Sequence, residues 1–177
     1  MKLSYVAALC GALSSGFVVA GEVDTQEGFD VQIGVGEFNP DSNRELDNGA
    51  IIGIGGGVRI DEHWGVEVWY LESTLNQDGN KGDGDLRQLR LDGLYHFMNG
   101  NWQPYVALGV DDARFDFDSA PSQHNQQINF GGGVKYFFNP SWFVRGDIRA
   151  FVGSAKQDTA ATFSVGYMFG QKARAPQ

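Results

Sequence analysis

Between Ile128 and Val152 the chain alternates in side-chain character with a period of two, interrupted once at Asn139-Pro140-Ser141. Ile128, Phe130, Gly132, Val134, Tyr136 and Phe138 fall on one parity; Asn129, Gly131, Gly133, Lys135 and Phe137 fall on the other. Past the break, Trp142, Val144, Gly146, Ile148, Ala150 and Val152 oppose Phe143, Arg145, Asp147, Arg149 and Phe151. Successive side chains of a strand point to opposite faces, so runs this long predict two β-strands joined by a tight turn. One face is apolar and aromatic. The other mixes glycine with full charges. Any fold for this chain must find a place for both faces.

The same alternation recurs along the chain. It predicts strands over 29–38, 49–60, 64–71, 86–97, 102–115, 128–138, 142–152 and 161–169. Their apolar parity carries pairs such as Val31 and Ile33, Ile52 and Ile54, Val66 and Val68, Leu89 and Leu91, and Val106 and Leu108. Polar loops at 39–48, 73–85, 116–125 and 153–159 alternate with short turns at 61–63, 98–101 and 139–141. In the second of these turns Asn99-Gly100 predicts a tight hairpin. No helical period intervenes, so neighbouring strands pair antiparallel. Eight strands are enough to close on themselves. The predicted fold is all-β: an eight-stranded antiparallel up-and-down barrel.

Whether that barrel is soluble or transmembrane depends on which face is outside. The charged parity is unusually poor in side chains: Gly34, Gly36, Gly53, Gly55, Gly57, Gly65, Gly109, Gly131, Gly133 and Gly166 all lie on it. Glycine weakens a strand, and a solvated surface has no use for it. A crowded interior does, because small residues leave room for a few large ones. Aromatics of the apolar parity gather at the short turns: Trp64, Tyr95, Phe97, Trp102, Tyr136, Phe138 and Trp142. That is the pattern of an interfacial girdle at headgroup level. The apolar face is therefore assigned to lipid, and the barrel is predicted to be transmembrane.

Composition agrees. The net charge of -9 argues against a nucleic-acid partner. Past the N-terminal segment no apolar run reaches the roughly 18 residues that a membrane helix needs. Mean hydropathy of -0.28 is compatible with a membrane barrel, whose strands are apolar only at alternate positions. Residues 1–20 read as a secretory signal peptide: Lys2, an apolar core from Tyr5 to Leu13, and Val18-Val19-Ala20 at the cleavage site. The barrel is then expected over 21–170, with a short tail at 171–177. Cys10, the sole cysteine, leaves with the signal peptide, so no disulfide or thiol chemistry is expected.

Three stretches carry a resemblance: Pro104 to Val110 (PYVALGV), Gly131 to Arg149 (GGGVKYFFNPSWFVRGDIR) and Phe163 to Gly170 (FSVGYMFG). In this order and spacing they resemble the transmembrane domain of the OmpA/OprF-type outer-membrane β-barrel family, over roughly Gly28 to Gly170. The resemblance implies the outer membrane of a Gram-negative bacterium, contact with lipid and lipopolysaccharide, and a monomer. It implies insertion by the barrel-assembly machinery, with Tyr167 and Phe169 resembling the C-terminal strand signal which that machinery reads. Larger members continue into a periplasmic peptidoglycan-binding domain. Here Gln171 to Gln177 resembles only the start of the linker, so peptidoglycan anchoring is not implied.

The candidate site is the set of charges on the inner parity: Arg59, Glu67, Arg90, Asp92, Lys135, Arg145, Asp147 and Arg149, with Asp111. Counted from the short turns, opposite signs share a layer or lie one layer apart. An unpaired buried ion is costly, so the charges are expected to pair across the lumen. The network is expected to be structural. Alternatively it gates a narrow pore, with Glu67 exchanging among Arg145, Lys135 and Arg59. No catalysis, cofactor or metal is expected. His63, His96 and His124 have no serine with an orienting carboxylate beside them. The stretch Asp78 to Asp85 lacks the bidentate acid of a calcium loop, since its twelfth position is Leu89. The expected role is envelope integrity, with a low-conductance porin as the alternative. Adhesion through the loops is a third reading.

Overall fold

The computed structural model describes residues 27–39, 49–76, 83–117, 123–153 and 156–170. The predicted signal peptide, the tail and most of the long loops, including the acidic stretch near Asp78, lie outside the described residues. The described chain forms eight strands: β1 (Gly28–Asn39), β2 (Gly49–Arg59), β3 (Trp64–Asn76), β4 (Asp83–His96), β5 (Trp102–Phe117), β6 (Gln123–Phe137), β7 (Trp142–Gly153) and β8 (Lys156–Phe169). Each pairs antiparallel with the next, and β1 pairs with β8 from Phe29↔Phe169 to Asn39↔Thr159, which closes the barrel. Closure leaves no strand edge unpaired.

The faces lie as the alternation predicts. Ile148 is 68%, Leu108 64% and Ile54 62% exposed on the outside, whereas Glu67, Arg90 and Arg145 are each 2% exposed within. An exterior this apolar is unstable in water and suited to lipid.

The strands are longer than predicted at the long-loop end. β3 runs to Asn76, β6 starts at Gln123 and β8 at Lys156. These extensions carry polar residues on both parities, so the alternation stops there while the hydrogen-bond ladder continues.

At the opposite end two short turns share one device. Asp61 Oδ1 accepts the amides of His63 and Trp64, each at 2.7 Å. Asn139 Oδ1 accepts those of Ser141 at 2.9 Å and Trp142 at 2.8 Å. Such Asx turns reverse the chain within a few residues. Each also places a tryptophan as the first residue of the next strand. The Asn99-Gly100 connection is not the tight hairpin that its sequence predicts. Among the described residues only Gly170 has a positive-φ glycine backbone, at +85°. The two-residue hairpin needs Gly100 in that region. Instead residues 97–101 form a wider loop, closed by Phe97 N–H donating to Pro104 O at 2.9 Å.

Candidate functional site

The lumen is built in layers from the short-turn end upward. The first is a plug of Phe137, Phe143 and Met168, all buried. Beside it Arg59 donates to the carbonyls of Asp61 at 2.8 Å and Glu62 at 2.6 Å, and to Gln103 Oε1 at 3.2 Å. Arg59 was expected among the partners of Glu67. It sits next to the β2–β3 turn, and the exposed turn carbonyls take its donors instead.

Above this lies the centre of the site. Glu67 accepts Lys135 Nζ at 2.7 Å and Arg145 Nη1 at 2.5 Å. Gln32 Nε2 bridges Glu67 at 3.1 Å and Asp30 Oδ1 at 2.7 Å. Lys135 also approaches Asp30 at 3.5 Å. Arg145 continues the network upward, with Nη2 to Asp147 at 3.0 Å and Nε to the Tyr105 hydroxyl at 2.5 Å. That hydroxyl donates to Asp147. Arg149 then spans Asp147 at 2.8 Å and Asp92 at 3.3 Å, and Arg90 meets Asp92 at 2.9 Å. Higher still, Gln88 donates to Asp111 at 2.9 Å. A second apolar plug of Phe38, Ile51, Leu86, Ala113, Phe151 and Ala160 closes the top.

All eight predicted lumen charges are at most 4% exposed, and Asp111 joins them at 4%. Seven of the eight form one connected set of ion pairs; Arg59 stands apart at the turn. Sequence reasoning missed Asp30, Gln32, Tyr105 and Trp69 as members. All four lie on the inner parity, but a period of two does not tell which neutral or isolated side chain reaches across. The guanidinium of Arg145 lies 4.8 Å from the Tyr105 ring and 5.7 Å from that of Trp69. Aromatic faces thus supply part of its environment, as cations accept readily.

Several inner glycines lie directly opposite large residues. Gly57 is opposite Glu67, Gly109 opposite Asp92, Gly131 opposite Arg149 and Gly55 opposite Trp69. A methyl group on Gly55 would lie 2.5 Å from the Trp69 indole, too close to fit. On these rungs the expected room for large side chains is made by the neighbouring strand. What space remains at the lower end is a void of about 10 Å³ lined by Arg59, Glu67, His96 and Lys135. A single water is the most that it holds.

Outside, the aromatics expected to form a girdle cluster at the short-turn end. Trp64 packs on Tyr95 at 5.1 Å between ring centres, Tyr95 on Phe97 at 5.4 Å, and Trp102 on Tyr136 at 4.5 Å. Phe138 is half-buried beside them. Trp142 packs on Tyr167 at 5.1 Å, Tyr167 on Phe169 at 4.7 Å, and Phe169 on Phe29 at 4.5 Å. Tyr167 and Phe169 thus join the same aromatic cluster, and Phe29, which the sequence reading did not include, extends it to β1. Of the histidines, His63 lies in a turn, His96 is buried with Nδ1 3.2 Å from His63 O, and His124 pairs with Asp112 at 2.7 Å on the outer surface. Among the described residues no cluster of three or more His, Cys, Asp or Glu could hold a metal ion.

Comparison with known proteins agrees with this geometry. "Outer membrane porin F" of Pseudomonas aeruginosa is 28% identical over 152 residues, which cover 77% of this chain and 43% of that protein. The crystal structure of the N-terminal β-barrel domain of Pseudomonas aeruginosa OprF superposes with a TM-score of 0.58 at 23% identity, covering 81% of this chain and all (100%) of that one. Neisserial surface protein A gives a TM-score of 0.62 at 20% identity over 84% of this chain and 98% of that one. Ail, the attachment invasion locus protein of Yersinia pestis, gives 0.61 at 17% over 81% of this chain and 99% of that one. These structures share the fold. A sequence model described as "Outer membrane protein beta-barrel domain" matches residues 6–169, and the chain belongs to that outer-membrane β-barrel family.

Proposed function

We propose that this barrel serves the integrity of the outer membrane as a narrow, internally plugged structural unit, without catalytic activity. One observation carries the reading: a continuous set of buried ion pairs from Lys135 to Arg90 fills the lumen between two apolar plugs. Eight strands leave an interior that side chains alone can fill. Cross-strand ion pairs that tie β3, β4, β6 and β7 together resist deformation of the wall. A diffusion pathway has no room beside them. The test is planar-bilayer conductance of the full chain, checked by heat-modifiable gel mobility for closed barrels. Closed barrels are expected to leave the bilayer silent at neutral pH. Steady, reproducible conductance steps from them would overturn the reading.

One observation favours a second reading, a gated narrow pore. Glu67 is shared between Lys135 and Arg145, and each cation has a second carboxylate within reach, Asp30 and Asp147. Rotating Glu67 from one cation to the other would leave neither bare. Brief conductance events that vanish in Glu67→Gln would favour this gate. The third reading, adhesion, rests on loops that lie largely outside the described residues. Loop deletion with a cell-attachment assay tests it.

A further inference from the structure

One buried nitrogen and one small void meet at the short-turn end of the lumen. His96 is the last residue of β4, and it is 1% exposed. Its Nδ1 lies 3.2 Å from His63 O, and the same carbonyl accepts the His96 amide at 2.7 Å. A carbonyl can only accept, so the ring proton is on Nδ1 and Nε2 carries a lone pair. A second ring proton would add a cation to a layer that already holds Arg59 and Lys135. Among the described residues Nε2 has no hydrogen-bond partner. A buried acceptor left in that condition is costly, and folded chains rarely keep one.

The void of about 10 Å³ lies against this ring, with Asp30, Arg59, Glu67 and Lys135 as its other polar walls and Leu94 and Met168 as apolar ones. Gly65 of β3 forms part of the same wall, between Arg59 and Leu94 in register. It differs from the glycines that make room for a large neighbour. A methyl group on Gly57, Gly109, Gly131 or Gly166 would lie within 2.8 Å of a neighbouring atom. On Gly65 it would come no nearer than 3.2 Å, to Val58 O, and would stand 3.7 Å from His96 Cε1 and 3.9 Å from Arg59 Cδ. Among the described residues no side chain takes up the space that this glycine leaves. Cε1 is bonded to Nε2, so the unpartnered edge of the imidazole faces that space.

We infer that this space is a built site for one water molecule, which completes the lumen network. A buried water needs roughly 10–15 Å³ and about two to four polar partners. His96 Nε2 is one partner, as acceptor. Lys135 is a second, as donor: its ammonium carries three N–H groups and has two oxygens in reach, Glu67 Oε1 at 2.7 Å and Asp30 Oδ2 at 3.5 Å. The second hydrogen of the water goes to Asp30 or Glu67, whose carboxylate oxygens each accept more than one bond. The water then links His96 of β4 to Lys135 of β6 and to a carboxylate of β1 or β3. It brings the layer of the short turn, where Arg59 stands apart, into the set of ion pairs above. The inference extends the structural reading of the lumen, yet its test does not involve conductance, so either can fail without the other.

The test uses the full chain in detergent micelles with isotope-labelled histidine, the rings being told apart with His63→Gln and His124→Gln. Overhauser transfer from water is expected at the Cε1 proton of His96, with the sign that a long-held water gives. Gly65→Ala puts a methyl group in place of the water and is expected to abolish that transfer. It is also expected to raise the unfolding equilibrium constant in urea about tenfold, because the buried acceptor and donor are left unmatched. In a His96→Leu background the same alanine is expected to have a smaller effect. Absence of transfer at His96 in the unmodified chain would overturn the inference. So would a Gly65→Ala barrel at least as stable as the unmodified one, which is the result of a methyl group filling a dry space. An equal effect of the alanine in both backgrounds would do the same. Should Gly65→Ala fail to fold, water transfer on the unmodified chain still decides.

Discussion

Replacing Glu67 with glutamine probes the centre of the lumen with almost no change of shape. Glu67 compensates Lys135 at 2.7 Å and Arg145 at 2.5 Å, in a network otherwise made of Asp30, Asp92, Asp147, Arg90 and Arg149. With Glu67 charged, four carboxylates face four cations; without it, three face four. Removing one partner of a buried pair costs roughly 3–5 kcal/mol, because the remaining charge is left uncompensated. Here Lys135 keeps Asp30 at 3.5 Å and Arg145 keeps Asp147 at 3.0 Å. The expected loss is therefore at the low end, about 3 kcal/mol. The assay is equilibrium urea unfolding of the barrel in lipid vesicles, read by heat-modifiable mobility and tryptophan emission. Glu67→Gln combined with Lys135→Gln restores the balance at three against three. It is expected to be more stable than the sum of the single losses, with a coupling on the order of 1–2 kcal/mol. The reasoning fails if Glu67→Gln lies within about 0.5 kcal/mol of the unmodified chain, or if the two losses simply add.

Gly55→Ala puts a methyl group into the Trp69 indole and is expected to destabilise the barrel by about 1–3 kcal/mol, with a shift in tryptophan emission as the ring moves. Phe151→Ala hollows the upper plug formed with Phe38 and Leu86, for an expected loss of about 3 kcal/mol in the same urea assay. The amides of His63 and Trp64 hold the Asp61 carboxyl below its ordinary value of 3.8. A depressed carboxyl stabilises the fold above its unfolded pKa and loses that contribution as pH falls through the folded value. The protection factor of the Trp64 amide, its exchange rate relative to the unprotected peptide at the same pH, is therefore expected to fall only below about pH 3.8. In Asp61→Ala it is expected to be low across that range.

Most of the architecture was legible because a period of two is hard to counterfeit. Each predicted face, β5 included, has the orientation that alternation assigned. Val106 and Leu108 point out, and Tyr105 and Ala107 point in. The failures were at strand ends and turns. Beyond the apolar band both parities are polar, so β3 and β6 run on unseen in the sequence. Asn99-Gly100 reads as a tight hairpin because two residues can close one. The chain uses the longer connection, in which Gly100 O accepts Gln103 Nε2 at 2.9 Å.

The sequence by itself determined the number of strands, which side chains share the lumen and which end the aromatics gather at. Each follows from parity along a single strand. Only the closed barrel decided who pairs with whom. Glu67 of β3 meets Lys135 of β6 and Arg145 of β7, sequence separations of 68 and 78 residues. Arg59 turns away to the carbonyls of its own turn. Parity says which face a charge occupies. The contacts across the lumen depend also on strand register and on the curvature of the wall, which no local pattern encodes. The hairpin of β6 and β7 carries one apolar face that water would reject and one charged face that lipid would reject. Closure of all eight strands gives each of them its surroundings.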